Sequence, residues 1–147
     1  MTLPRTPSQT VGPYYAIGLC RRYEGDLVPD GIELAGQLLD GRGAPIPDGM
    51  VEVWDAVGRH WGRSGTDDQG GFRFRVPRDA VVLEALVFAR GLLRHQRTRI
   101  YLRETEDDVL AAIEPERRET LLARPEGEAL RFDIRMQGEG ATVFFAH

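Results

Sequence analysis

The segment GFRFRV, residues 71–76, alternates without a break. Phe72 and Phe74 fall on one face, Arg73 and Arg75 on the other. That pattern reads as a strand with one buried and one wet face. Other short runs have the same character. IELAGQLL (32–39) reads as a strand. In MVEVW (50–54), Val51 and Val53 oppose Glu52 and Trp54. VVLEALVFA (81–89) is nearly all apolar, as expected of a strand covered on both faces. TRIYLR (98–103) and LRFDIRM (130–136) follow, and ATVFF closes the chain. Glycine (17) and proline (9) stand between these runs as punctuation. LDGRGAPIPDG supplies turn residues, and SGTDDQG reads as a hairpin-type turn. DDVLAAI and PERRETLLA read as short helices, with Pro115 suited to the first turn of the second. Seven or so short strands with little helix predict an all-β fold: an antiparallel β-sandwich with short helices and an extended N-terminal arm. Residues 31–147 are expected to form the sandwich. Residues 1–30 are Pro/Gly-rich and weakly periodic, an arm that must lie on a surface to be ordered.

The length of 147 residues fits one domain with a real core. A net charge of −4 gives no general attraction to nucleic acid or to an anionic membrane. No apolar run approaches the roughly 20 residues needed to span a bilayer. The start MTLPRTPSQT has no apolar signal-peptide core, so a cytoplasmic protein is expected. Cys20 is the only cysteine, which excludes an intrachain disulfide and reads as a small hydrophobe. All basic residues are arginine, so lysine-based chemistry is excluded.

The candidates for chemistry are few. His60, His95 and His147 form no HxH, HxxH or HxxxH pair; a fold can still bring distant ligands together, but spacing offers no support. Ser64 lies in a turn without a GxSxG elbow. QGEG (137–140) precedes no helix and reads as a β-turn rather than a phosphate loop. ETEDD (104–108) lacks the ligand order of a calcium loop and suits helix capping. Arg90, Arg94, Arg97 and Arg99 form a basic cluster, a local anion site or a solvated surface. Arginine can hold a carboxylate by two parallel hydrogen bonds. Arg90 stands out because it ends the most apolar strand and precedes Gly91.

Several segments together carry a resemblance. TPSQTVGPYY, VEVWDAVGR, TDDQGGFRFR, VFARG with TRIYL, and RRETLLARPEG…LRFDIRMQGEGATVFF make the chain similar to the intradiol ring-cleavage dioxygenases, and within them to the α-type chains. The match runs from Thr6 to Phe145. The resemblance implies a β-sandwich and an α/β hetero-oligomer with a homologous β-type chain. It implies that the β-type chain holds non-haem Fe(III) through two tyrosines and two histidines. It implies O2-dependent cleavage of a small aromatic acid, 3,4-dihydroxybenzoate, to 3-carboxy-cis,cis-muconate. At the positions of those ligands this chain has His60 for the first tyrosine, Val82 and Glu84 for the HxH pair, and a loop cut to VPRDAVV for the second tyrosine. The resemblance therefore implies a chain without metal and without catalytic residues of its own. It also places Gly12, Pro13, Tyr14 and Arg90 in the wall of a substrate cavity shared with the partner. A scaffold-only homologue, or a stand-alone enzyme with an atypical metal site at His60 or His95, are the alternatives. The chain is shorter than typical members, with compression at 20–31, 61–64 and 77–81. Glu84, in an apolar strand, is expected to pair with an arginine or to face the partner, because a buried unpaired carboxylate is costly.

Overall fold

The structure is a computed structural model that describes residues 4–10, 12, 14–20 and 22–146. Among the described residues, nine strands form two facing sheets. The first sheet holds β1 (Ile32–Leu39), β4 (Gly71–Val76), β7 (Arg124–Glu126), β8 (Ala129–Arg131) and β9 (Ile134–Arg135). Its order is β4-β1-β8-β7, with β9 also on β1. The second holds β2 (Met50–Asp55), β3 (His60–Gly65), β5 (Val82–Phe88) and β6 (Gln96–Tyr101), in the order β3-β2-β5-β6. Leu34, Leu38, Phe72 and Phe74 face Val51, Val53, Leu83 and Val87 across one continuous core. The alternation in GFRFRV is thus realised: Phe72, Phe74 and Val76 are buried and Arg73 is exposed. The all-β sandwich follows from that division of each strand into an apolar and a polar face.

Four details depart from the sequence reading. First, the SGTDDQG turn is not a hairpin. Asp67 makes a tight turn, its carboxylate accepting from Gln69 N and Gly71 N at 2.8 Å each. Yet β3 pairs with β2 and β4 with β1, so this turn carries the chain from one sheet to the other. Second, the first sheet is mixed, because β8 and β9 run parallel to β1. LRFDIRM does not stay one strand. Phe132 and Asp133 interrupt it, and Gln37 N donates to Asp133 Oδ1 at 2.9 Å instead of to a ladder carbonyl. Third, β5 is buried on one face only: Leu83, Ala85 and Val87 enter the core, while Val82, Glu84, Leu86 and Phe88 are half-buried. Fourth, residues Tyr14–Leu19 form a short helix, α1, which no periodicity announced.

The two predicted helices are present as α2 (Asp108–Ala111) and α3 (Pro115–Arg118), the latter with Pro115 in its first turn and continuing into a 3-10 turn, Glu119–Leu121. They cover the outer face of β6, where Tyr101, Leu121 and Val143 make a second apolar cluster. QGEG ends in a β-turn, with Ala141 N donating to Gly138 O at 3.1 Å. ATVFF adds no strand; Phe145 N bonds Arg97 O at 2.8 Å in a single bridge.

The open edge between β3 and β4 is stitched by Glu24–Leu27. Arg63 N donates to Glu24 O at 2.8 Å, and Arg75 N donates to Gly25 O and Leu27 N to Arg75 O at 2.9 Å each. Leu27 enters the core. A segment that pairs with an edge strand of each sheet ties the two layers together and removes two unpaired edges. Among the described residues no helix is long and apolar enough to cross a membrane.

Candidate functional site

Strand β5 leaves the sheet at Phe88, and Ala89, Arg90 and Gly91 follow, with Gly91 at φ 85° making the turn. Helix α1 lies against this end. Tyr15 is buried and packs on Phe88, ring centroids 6.1 Å apart, and Phe88 in turn stands 5.4 Å from His95. Tilted rings at such separations are favourable aromatic contacts. Between them lies a cavity of about 450 Å³ lined by Gln9, Tyr15, Phe88, Leu92, Leu93 and His95.

The four expected wall residues fall as follows. Tyr14 opens α1 and is 76% exposed, its phenol turned away from the core. Gly12 has φ 62°, a conformation that glycine adopts without steric cost, and its N–H donates to Thr10 Oγ1 at 3.2 Å. Pro13 lies outside the described residues. Arg90 is exposed, with Nη2 3.2 Å from Asp48 Oδ2. The link between helix and strand end is Tyr15, which sequence reasoning did not single out. Burial pushes its phenol up, the Arg90 guanidinium opposes this and Asp48 adds to it, so all three groups share one environment. Its hydroxyl is buried and has no hydrogen-bond partner among the described residues.

Of the remaining arginines of the cluster, Arg99 is already paired with carboxylates. Arg99 Nε lies 2.8 Å from Glu84 Oε1, and Arg99 Nη1 is 3.5 Å from Asp107 Oδ2. This settles Glu84: the register that places Glu84 opposite Arg99 gives it a partner on the sheet's outer face. The neighbouring row is similar, with Arg63 Nη2 2.6 Å from Glu52 Oε1 and its guanidinium 4.7 Å over the Trp61 ring. A larger cleft of about 750 Å³ lies elsewhere, beside Cys20, Tyr23, Glu33 and Arg73, and contains none of the expected wall residues. Burial pushes the Cys20 thiol there up, against the opposing charge of Arg63.

Some of the positions mapped to iron ligands come together, and Glu84 lies apart from them. His60, Val82 and the shortened loop at Asp79–Val81 line one small cavity of about 160 Å³, with Asp55 at its base. The donors present do not suit a ferric ion held by phenolates and imidazoles. Val82 has no donor atom. Asp55 is buried, and its carboxylate already accepts from Val57 N and Gly58 N at 3.1 Å each and lies 3.2 Å from His60 Nδ1. Those contacts shape the tight β2–β3 turn, where Arg59 has φ 59°. Glu84 is held by Arg99. Hard ferric iron calls for several anionic oxygen or imidazole donors pointing at one spot. Among the described residues, no group of three or more His, Cys, Asp or Glu side chains is arranged to hold a metal.

No protein-family model matches the chain. Curated relatives do. The chain is 37% identical to the protocatechuate 3,4-dioxygenase alpha chain of Pseudomonas putida, covering 97% of this chain and 96% of that one. It is 35% identical to the protocatechuate 3,4-dioxygenase alpha chain of Burkholderia cepacia, covering 98% of each. The first alignment runs over 194 positions against the 147 residues here, so the relative carries segments that this chain lacks. Solved structures share the fold. They include the dioxygenase domain of a dioxygenase–carbohydrate-binding protein fusion from Streptomyces sp. SirexAA-E, with a TM-score of 0.57 at 19% identity over 92% of this chain and 99% of that one. Hydroxyquinol 1,2-dioxygenase from Pseudomonas putida DLL-E4 gives a TM-score of 0.55 at 18% identity over 91% of this chain and 67% of that one.

Proposed function

Because the chain belongs to the family of protocatechuate 3,4-dioxygenase alpha chains, within the intradiol ring-cleavage dioxygenases, we propose that it is the metal-free subunit of a cytoplasmic α/β enzyme. Its partner is a β-type chain carrying non-haem Fe(III). Together they cleave 3,4-dihydroxybenzoate with O2 to 3-carboxy-cis,cis-muconate. The observation that carries this reading is the small cavity beneath the β2–β3 turn. There two of the mapped ligand positions hold a valine, Val82, and a histidine, His60, that is already placed against the engaged carboxylate of Asp55. A chain of this family with such a site contributes by shaping the substrate pocket, and the oxidative step belongs to the partner.

On this reading Gly12, Pro13, Tyr14 and Arg90 line the shared pocket. Gly12 and Pro13 keep the backbone low and fixed. Tyr14 offers a flat apolar face and a hydroxyl, and its high exposure leaves both free for a partner or a substrate. Arg90 supplies the positive charge that a carboxylated catechol needs and a plain catechol does not. Tyr15, anchored on Phe88, fixes α1 against the strand end that presents Arg90.

The test is Arg90→Ala in the complex formed with the β-type chain. A charged hydrogen bond contributes about 1.5–3 kcal/mol. The expected result is a loss of roughly tenfold or more in kcat/KM for 3,4-dihydroxybenzoate, with catechol changed far less. Equal loss for both substrates would contradict the assignment of Arg90 to the carboxylate.

A further inference from the structure

We propose that Asp48 tunes the specificity of the pocket by acting as a resident counter-carboxylate to Arg90, neutralising the guanidinium that an anionic substrate must engage. The proposal rests on the reading of Arg90 as a pocket residue.

The pair is built into the fold. Strands β2 and β5 are antiparallel, with Met50 opposite Phe88. Past that pair each strand passes into a turn, one at Asp48 and one at Arg90 and Gly91, so both turns lie at the same end of the sheet. The observed contact, Asp48 Oδ2 to Arg90 Nη2 at 3.2 Å, joins these two turns. The backbone holds Asp48 there. It sits at φ 56°, in the left-handed region that Asp and Asn tolerate better than most residues. Thr66 pins the turn from both sides of it. Gly49 N donates to Thr66 Oγ1 at 2.7 Å, Thr66 Oγ1 donates to Ile46 O at 2.8 Å, and Thr66 N donates to Gly49 O at 2.9 Å. Tyr15, beside them, feels both charges.

The contact is single and open. Both side chains are more than half exposed, 57% for Arg90 and 52% for Asp48. Such a pair is too weak to lock an arginine rotamer. What it does do is cancel the charge. A carboxylate approaching Arg90 meets a nearly neutral pair and a second carboxylate close by. A neutral catechol meets no such opposition. Asp48 therefore lowers the preference for the acid that Arg90 creates.

The experiment measures Asp48→Asn and Arg90→Gln in the α/β complex, by anaerobic titration with 3,4-dihydroxybenzoate and with catechol, and by KM in air. Asparagine keeps the left-handed turn, so the fold is preserved. The expected result for Asp48→Asn is about two- to fivefold tighter binding of the acid, the range set by an exposed pair, with catechol unchanged. If Arg90→Gln weakens the acid selectively but Asp48→Asn changes neither ligand, the proposal falls and the pocket role of Arg90 stands. If Asp48→Asn weakens the acid, Asp48 orients Arg90 rather than opposing it, and the proposal falls. If Arg90→Gln affects both ligands alike, the pocket reading falls and takes the proposal with it.

Discussion

Gly36→Val is expected to lose most of the stability of the fold. Gly36 lies in β1 between Ala35, whose carbonyl accepts from Phe132 N at 2.9 Å, and Gln37, whose N–H bonds Asp133. A Cβ built on Gly36 would stand 1.7 Å from Phe132 O and 2.7 Å from Phe132 C. Both obstacles are backbone, so no rotamer change relieves the clash. Relief requires β8 and β9 to separate from β1, which removes the parallel half of the first sheet and opens the core at Phe132 and Ile134. The expected cost is about 3–5 kcal/mol, at the severe end for one substitution. That is a large part of the total for a domain of this size. Thermal unfolding reads it as a fall of roughly 10 °C or more. Gly18→Ala is the control, because a Cβ there meets nothing within 4 Å and its melting temperature is expected to stay close to the parent's. An unchanged melting temperature for Gly36→Val would mean that β1 and the 129–135 segment do not pair as described.

Asp107→Ala is expected to cost about 2–4 kcal/mol, from losing a helix cap and stranding a buried hydroxyl together. Asp107 is the N-cap of α2 and accepts from Leu110 N at 2.6 Å. It also accepts from the hydroxyl of Tyr101, at 3.0 Å to Oδ1 and 2.9 Å to Oδ2, and faces Arg99. Tyr101 is fully buried, so its hydroxyl has no solvent to turn to when the carboxylate is gone. Asp107→Asn keeps an acceptor for both donors and is expected to avoid much of the loss. The effect has a pH signature. Burial acts to raise the Asp107 carboxyl, but the bonds from Leu110 and Tyr101 with the charge of Arg99 together hold it below the ordinary carboxylate value. A carboxyl lowered on folding adds stability that is fully present above its unfolded value, near 3.9, and is lost as pH falls through the folded one. The gap in melting temperature between parent and Asp107→Ala should therefore be widest near neutrality and narrow below about pH 4. A gap independent of pH would contradict the role given to the charge.

What could be read in the sequence was what depends on neighbours in the chain. The alternation of Phe72 and Phe74 with Arg73 and Arg75 required a half-buried strand, and Pro115 marked a helix start. The turn at Asp67 was equally legible as a turn. Its destination was not, because leaving toward the same sheet or the facing one depends on which strand has an open edge. LRFDIRM alternates throughout, yet it is broken at Phe132 and Asp133 by the close approach of Gly36, a residue nearly a hundred positions away. The apolar run of β5 suggested burial on both faces. In fact its outer face is half-buried, with Tyr15 and His95 against Phe88 at one end and the cluster of Tyr101, Leu121 and Val143 against Val82 at the other. At the site, Arg90 could be singled out by its place before Gly91. Asp48 could not, since only the pairing of β2 with β5 brings the turn at Asp48 beside the turn at Arg90. Tyr15 is one of two adjacent tyrosines, and nothing local separates the one that packs on Phe88 from the one that faces out.

The central claim is that this chain shapes a pocket and leaves the metal to its partner. Iron per chain, measured by elemental analysis on this protein produced alone in iron-replete medium, tests it most directly. The account predicts a value near zero, with no tyrosinate-to-iron colour. A value near one would contradict it, and would mean that His60, His95 or another donor completes a ferric site that the arrangement of Asp55, Val82 and Glu84 does not provide.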